Sequence, residues 1–137
     1  MRTAVDTNVL SAIWDDEPSA MNLAEMLGKA KLAGTVVICG AVFAEALAHP
    51  KVTEDYLTRF LRNSEVEIDF ELGEKVWTEA GRRYGGYAAR RRLSGGGETK
   101  RLLADLVVGA HALVSADGLM TLDRRRYEID FPELRLI

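Results

Sequence analysis

Five short apolar runs, Thr3 to Val5, Val36 to Cys39, Val66 to Ile68, Leu119 to Leu122 and Leu134 to Leu136, alternate with longer segments of helical period. Strands separated by helix-length segments pair in parallel, with the helices carrying the chain back across the sheet. The alternation predicts an α/β fold: a central parallel sheet of about five strands covered by helices on both faces. At 137 residues the chain has the size of one domain, and no repeat or long linker divides it.

Helix punctuation supports this order. Leu23, Met26, Leu27 and Ala30 share one face of a helix over Ala20 to Ala33, with Pro18 before it and Gly34 after. Further helices are expected from Gly40 to about Ala48, stopped at His49-Pro50, from Glu54 to Arg62, and from about Thr99 to Val114. The stretch from Leu72 to Arg92 reads as helical but broken at Gly85-Gly86, and Ser94 to Gly97 as a flexible loop. SGGGETK lacks the glycine spacing of a phosphate-binding loop. The only cysteine, Cys39, lies in an apolar run, which excludes an intrachain disulfide. No apolar stretch reaches the about 18 to 20 residues that span a bilayer, and no signal-like segment precedes the first acid, so a cytoplasmic location without membrane contact is expected.

Carboxylates occur where they are costly. Asp6 ends the first apolar run and Asp123 ends LMTL; Glu45 stands in AVFAEALA, and Asp105 interrupts LLADLVVGAHALV. A buried ionised carboxylate costs several kcal/mol unless it is paired, hydrogen-bonded or metal-bound. Asp6 also suits a helix cap, and Arg101, four residues before Asp105, is a possible ion-pair partner. Ligands of open parallel sheets bind beyond the carboxyl ends of the strands, where all four acids can meet. A divalent cation then accounts for their staying charged, and an all-oxygen set favours Mg²⁺ or Mn²⁺ over zinc. His111 reads as a packed core histidine, His49 as the end of its helix, and Asp117 as the start of a turn.

Charge is unevenly spread. Residues 1 to 81 hold 7 Lys/Arg against 14 Asp/Glu, and residues 82 to 137 hold 11 against 7. Arg82, Arg83, Arg90, Arg91, Arg92, Lys100 and Arg101 form a basic block that could hold an RNA backbone or simply face solvent. Tyr84 and Tyr87 within it could stack bases or pack their helix. The apolar set Val9, Leu10, Ile13, Trp14, Met21, Leu23, Met26 and Leu27 exceeds the evident needs of a small core, so part of it could pair protomers or receive a partner helix.

DTNVLSAIW, VFAEAL, LLADLVVGAHAL after a basic glycine loop, and DGLMTLDRRRY followed by FPEL resemble, in that order, the PIN-domain ribonucleases of the VapC toxin type over essentially the whole chain. The resemblance implies one PIN domain over residues 1–137 with a three-layer α/β/α fold, a Mg²⁺ or Mn²⁺ cofactor, hydrolysis of RNA, a small VapB-type antitoxin as partner, and a homodimer. It makes Asp6, Glu45, Asp105 and Asp123 the catalytic, metal-holding set. Thr121 and Asn8 could support that set, or serve β-propensity and helix capping respectively. A PIN scaffold that binds RNA or protein without cutting is the alternative. A phosphatase using Asp6 as nucleophile would want a carboxylate at position 8, which is Asn8.

Overall fold

A computed structural model describes residues 1–96 and 101–137. Four strands form one parallel sheet: β1 (Arg2–Val5), β2 (Thr35–Cys39), β3 (Val66–Asp69) and β4 (Gly118–Met120), in the order β3-β2-β1-β4. Ala4 pairs with Val37 on one side and with Leu119 on the other, which makes β1 a central strand. The fifth run does not become a full strand. It contributes a single parallel bridge from Leu136 to Leu119, closed by Leu119 N–H to Arg135 and Ile137 N–H to Leu119.

Among the described residues, seven helices accompany the strands: α1 (Thr7–Trp14), α2 (Ala20–Ala33), α3 (Gly40–Leu47), α4 (Glu54–Asn63), α5 (Gly73–Leu93), α6 (Leu103–Ser115) and α7 (Arg124–Asp130). The connections β1 to β2 and β2 to β3 step one way across the sheet, and the β3 to β4 connection returns past both. Because parallel crossovers are right-handed, the two sets cover opposite faces, and strand order reverses beside β1. Consistent with this, α2, α3 and α4 pack on β2 and β3, while α6 packs on β1 and β4.

The core follows from these layers. Val36, Val37, Ile38 and Cys39 of β2 are buried, as are Leu106 to Ala112 of α6, which is apolar all round. Gly109 is required there, since a Cβ at that position would collide with the ring of Phe131. Of the surplus apolar set near the N-terminus, Val9, Leu10 and Leu23 are core, and Ile13, Trp14, Met26 and Leu27 pack against it; Met21, 85% exposed, is the clear exception.

Two helices differ from the sequence reading. α5 runs unbroken through Gly85-Gly86, because its long contact with α6 outweighs a glycine penalty of about 1 kcal/mol each. α7, to which the sequence reading assigns nothing, forms around buried Tyr127 and Asp130. Among the described residues, no helix is long and apolar enough to cross a membrane. Lys100 and Gly97 lie outside the described residues.

Candidate active site

The end of β1 delivers Asp6 to the reversal point of the sheet. Its backbone N–H donates to Met120 O at 3.0 Å, which locks the ends of β1 and β4 together. The side chain, on a residue 9% exposed, caps α1 by accepting Thr7 N–H at 2.8 Å. It also accepts from Thr121 Oγ1 at 2.9 Å, Tyr127 OH at 3.1 Å and Asn8 Nδ2 at 3.2 Å. Capping and site-building are therefore done by the same carboxylate.

Glu45 arrives from α3, where it accepts the Thr7 hydroxyl at 2.8 Å. Asp105 stands in the first turn of α6 and accepts Leu102 N–H at 3.1 Å; Arg101 Nε lies 3.5 Å from the same oxygen. Burial pushes the Asp6 carboxyl up; bonds from Thr121, Tyr127 and Thr7 offset part of this, and the charge of Asp105 adds to it. Burial likewise raises Glu45, against its bond from Thr7, and the charges of Asp6 and Asp105 raise it further. Burial also lifts the Tyr127 hydroxyl, as does the adjacent Asp6 charge, so Tyr127 stays protonated and donates. The charge of Asp105 thus reaches Asp6 and Glu45, and that of Asp6 reaches Glu45.

Asp123 is placed differently. Its backbone N–H donates to Thr121 Oγ1 at 3.0 Å, so Thr121 links it to Asp6, but its carboxylate faces Arg126 Nε at 3.4 Å. Asn8 completes this corner by accepting Leu122 N–H at 3.1 Å and donating to Thr121 at 3.3 Å. Asp117 lies at the other end of β1, accepting Arg2 N–H at 2.6 Å, and His111 is buried against Asp69 at 2.8 Å.

No three Asp, Glu, His or Cys groups among the described residues are drawn together as a ready-made metal cage. The donor chemistry nevertheless fits a hard divalent cation. Among the described residues, Asp6 Oδ1 accepts one bond only, and Glu45 Oε2 and Asp105 Oδ1 accept none. Three carboxylates with spare oxygens, and no soft ligand among them, suit an ion that keeps several waters.

The basic block divides in two. Arg101 is 5% exposed and ion-paired with Asp130, which Arg90 also engages; Arg83 pairs with Glu79 and Glu133 and lies over the Phe131 ring. These three arginines are tied into the fold. Arg82 holds only Glu79, Arg91 donates to Tyr87 OH, and Arg92 is exposed with no ion pair among the described residues. Tyr87 is buried, stacked on Tyr84, and accepts Arg101 N–H at 2.7 Å, so it packs its helix.

Sequence reasoning missed Tyr127, Asp130 and the Thr7 hydroxyl. Tyr127 lies four residues beyond Asp123, one helical turn on, but three intervening arginines hide the period.

The family model of the PIN domain matches residues 3–132. No curated protein sequence matches the chain. Among solved structures, a chain of VapBC2 from Rickettsia felis, solved bound to a DNA fragment from its promoter, is 25% identical with a TM-score of 0.64, covering 100% of this chain and 98% of that one. A chain of VapBC-1 from nontypeable Haemophilus influenzae has a TM-score of 0.65 at 17% identity, covering 100% of this chain and 97% of the other, and so is similar in fold.

Proposed function

The chain belongs to the PIN domain family, and from that premise we propose that it is a metal-dependent endoribonuclease, the toxin of a toxin-antitoxin pair. The observation that carries this reading is the pairing of Asp6 and Glu45 through Thr7 at the reversal point of the sheet, with the charge of Asp105 reaching both. A nuclease needs an activated water and relief of the charge that builds on the phosphate.

Asp6 Oδ1, Asp105 and Glu45 would hold Mg²⁺ or Mn²⁺, directly or through water, with Asp123 completing the set once it leaves Arg126. The ion supplies the lowered pKa of a bound water and Lewis-acid polarisation of the phosphoryl oxygens. Glu45, whose proton affinity is raised, is suited to accept the proton of the attacking water. Thr121 and Asn8 keep Asp6 from rotating. Arg82, Arg91 and Arg92 hold flanking phosphates, whereas buried Arg101 acts on the site from inside.

The VapBC neighbours support a small VapB-type antitoxin as partner, and a homodimer belongs to the same reading. The apolar cleft of about 290 Å³ between Ile13, Leu27, Gly28 and Phe60 offers such a partner a seat.

Purified protein incubated with labelled RNA should cut it with Mg²⁺ or Mn²⁺ and not with chelator. Asp6→Asn should reduce the rate at least about a hundredfold. Cleavage that survives chelation or that substitution would overturn the mechanism. The alternative of a scaffold that binds without cutting draws on the Asp123–Arg126 contact; RNA binding with no cleavage under any metal would favour it.

A further inference from the structure

The four donors on Asp6 are unequally shared. Oδ2 accepts three of them: the Thr121 hydroxyl at 2.9 Å, the Tyr127 hydroxyl at 3.1 Å and the Asn8 amide at 3.2 Å. Among the described residues, Oδ1 accepts only Thr7 N–H at 2.8 Å. A carboxylate oxygen offers about two lone-pair sites, so Oδ2 is full and Oδ1 keeps one.

Tyr127 differs from its two companions. Thr121 Oγ1 also accepts Asp123 N–H, and Asn8 also accepts Leu122 N–H, so both hold backbone as well as Asp6. Among the described residues, the Tyr127 hydroxyl bonds to Asp6 alone. Its ring is 2% exposed, beside Phe131 and with the Arg101 guanidinium 5.8 Å from the ring centroid. Burying a hydroxyl without a partner is costly, so the packing that fixes the ring also fixes where Oδ2 must lie.

We propose that Tyr127 is a positioning residue which, with Asn8 and Thr121, closes Oδ2 of Asp6, so that this carboxylate gives a metal one oxygen, Oδ1, and serves a single ion. A carboxylate that bridges two ions needs two free lone pairs, one on each oxygen or both on one. Here the second becomes available only if a buried hydrogen bond breaks. Oδ1 is also the oxygen on the Thr7 side, and the Thr7 hydroxyl holds Glu45. The open oxygen of Asp6 is thereby keyed to the neighbouring acid. This inference rests on the metal-dependent reading above.

Tyr127→Phe removes the hydroxyl and keeps the ring. Binding of Mn²⁺ to the full chain without RNA is measured by calorimetry, alongside melting temperature in chelator. The wild type should bind one Mn²⁺ that Asp6→Asn abolishes, and Tyr127→Phe should weaken that binding about tenfold. Leu61→Ala, a core substitution in α4 against β3, should lower the melting temperature and leave the affinity unchanged. Equal affinity in Tyr127→Phe, an equal loss in Leu61→Ala, or two Mn²⁺ both abolished by Asp6→Asn would overturn the inference and leave the metal-dependent reading standing. A wild type that binds no Mn²⁺ removes that reading and this inference with it.

Discussion

Arg101 illustrates how one side chain can belong to the fold while acting on the site. Its guanidinium pairs with buried Asp130, lies against the Tyr127 ring, and turns a buried Nε without a hydrogen-bond partner toward Asp105 at 3.5 Å. It is a fixed positive charge beside the acidic group, and it restrains Asp105 from a buried position. Breaking a buried pair by removing one partner leaves an uncompensated charge, typically at a cost of about 3–5 kcal/mol. Arg90 still engages Asp130, which puts Arg101→Met at the lower end of that range. Arg92 is exposed and unpaired among the described residues, so Arg92→Ala should change stability by less than about 0.5 kcal/mol. It should instead weaken RNA binding and reduce its salt dependence. Chemical denaturation and RNA binding at two salt concentrations, run on both variants, check this division. A stable Arg101→Met protein with weakened RNA affinity would place Arg101 among the phosphate contacts after all.

At the level of elements, glycine marks two opposite situations that look alike in sequence. Gly85 sits on the exposed side of α5 with nothing within 4 Å of a built Cβ, so Gly85→Ala should stabilise the protein by about 0.5–1 kcal/mol. Gly109 in α6 faces the Phe131 ring, and Gly109→Ala should cost about 1–3 kcal/mol through overpacking. Thermal denaturation of the two variants should move in opposite directions; a destabilised Gly85→Ala would mean that α5 needs its glycines. The same pair explains what was legible in the sequence. The four strands and the helix Ala20–Ala33 could be placed because burial on both faces or on one stripe writes a period into the chain. The break expected at Gly85-Gly86 did not occur because local propensity yields to packing against α6, which no local window contains. The last run shrinks to one bridge, Leu136 to Leu119, at the edge of the sheet beyond β4. Asp6, Glu45 and Asp105 stood out as acids in apolar surroundings, whereas Tyr127 and Thr7 act through hydroxyls on unremarkable local patterns.

Across the whole molecule the acids pull stability in two directions with pH. Burial raises Asp69, but His111 and Arg2 outweigh it and hold the carboxyl below the usual carboxylate range. Its contribution is present above the unfolded pKa and is lost as pH falls through the folded one. Asp6 and Glu45 are raised in the folded protein, so the folded state binds their protons more tightly than the unfolded chain does. Their contribution is present below the unfolded pKa and is lost as pH rises through the folded values. A cation that requires ionised ligands reverses this loss, and its effect grows as they ionise. The rise in melting temperature caused by saturating Mn²⁺ should therefore be larger at about pH 7.5 than at about pH 5. Glu45→Gln keeps an acceptor for the Thr7 hydroxyl and removes the charge. It should raise the metal-free melting temperature at neutral pH, shrink the Mn²⁺ effect and suppress RNA cleavage together. Melting curves in chelator and in Mn²⁺ across that pH range test the coupling. A Glu45→Gln protein that is less stable without metal, or equally stabilised by it, would show that the repulsion at the end of the sheet is not what the ion relieves.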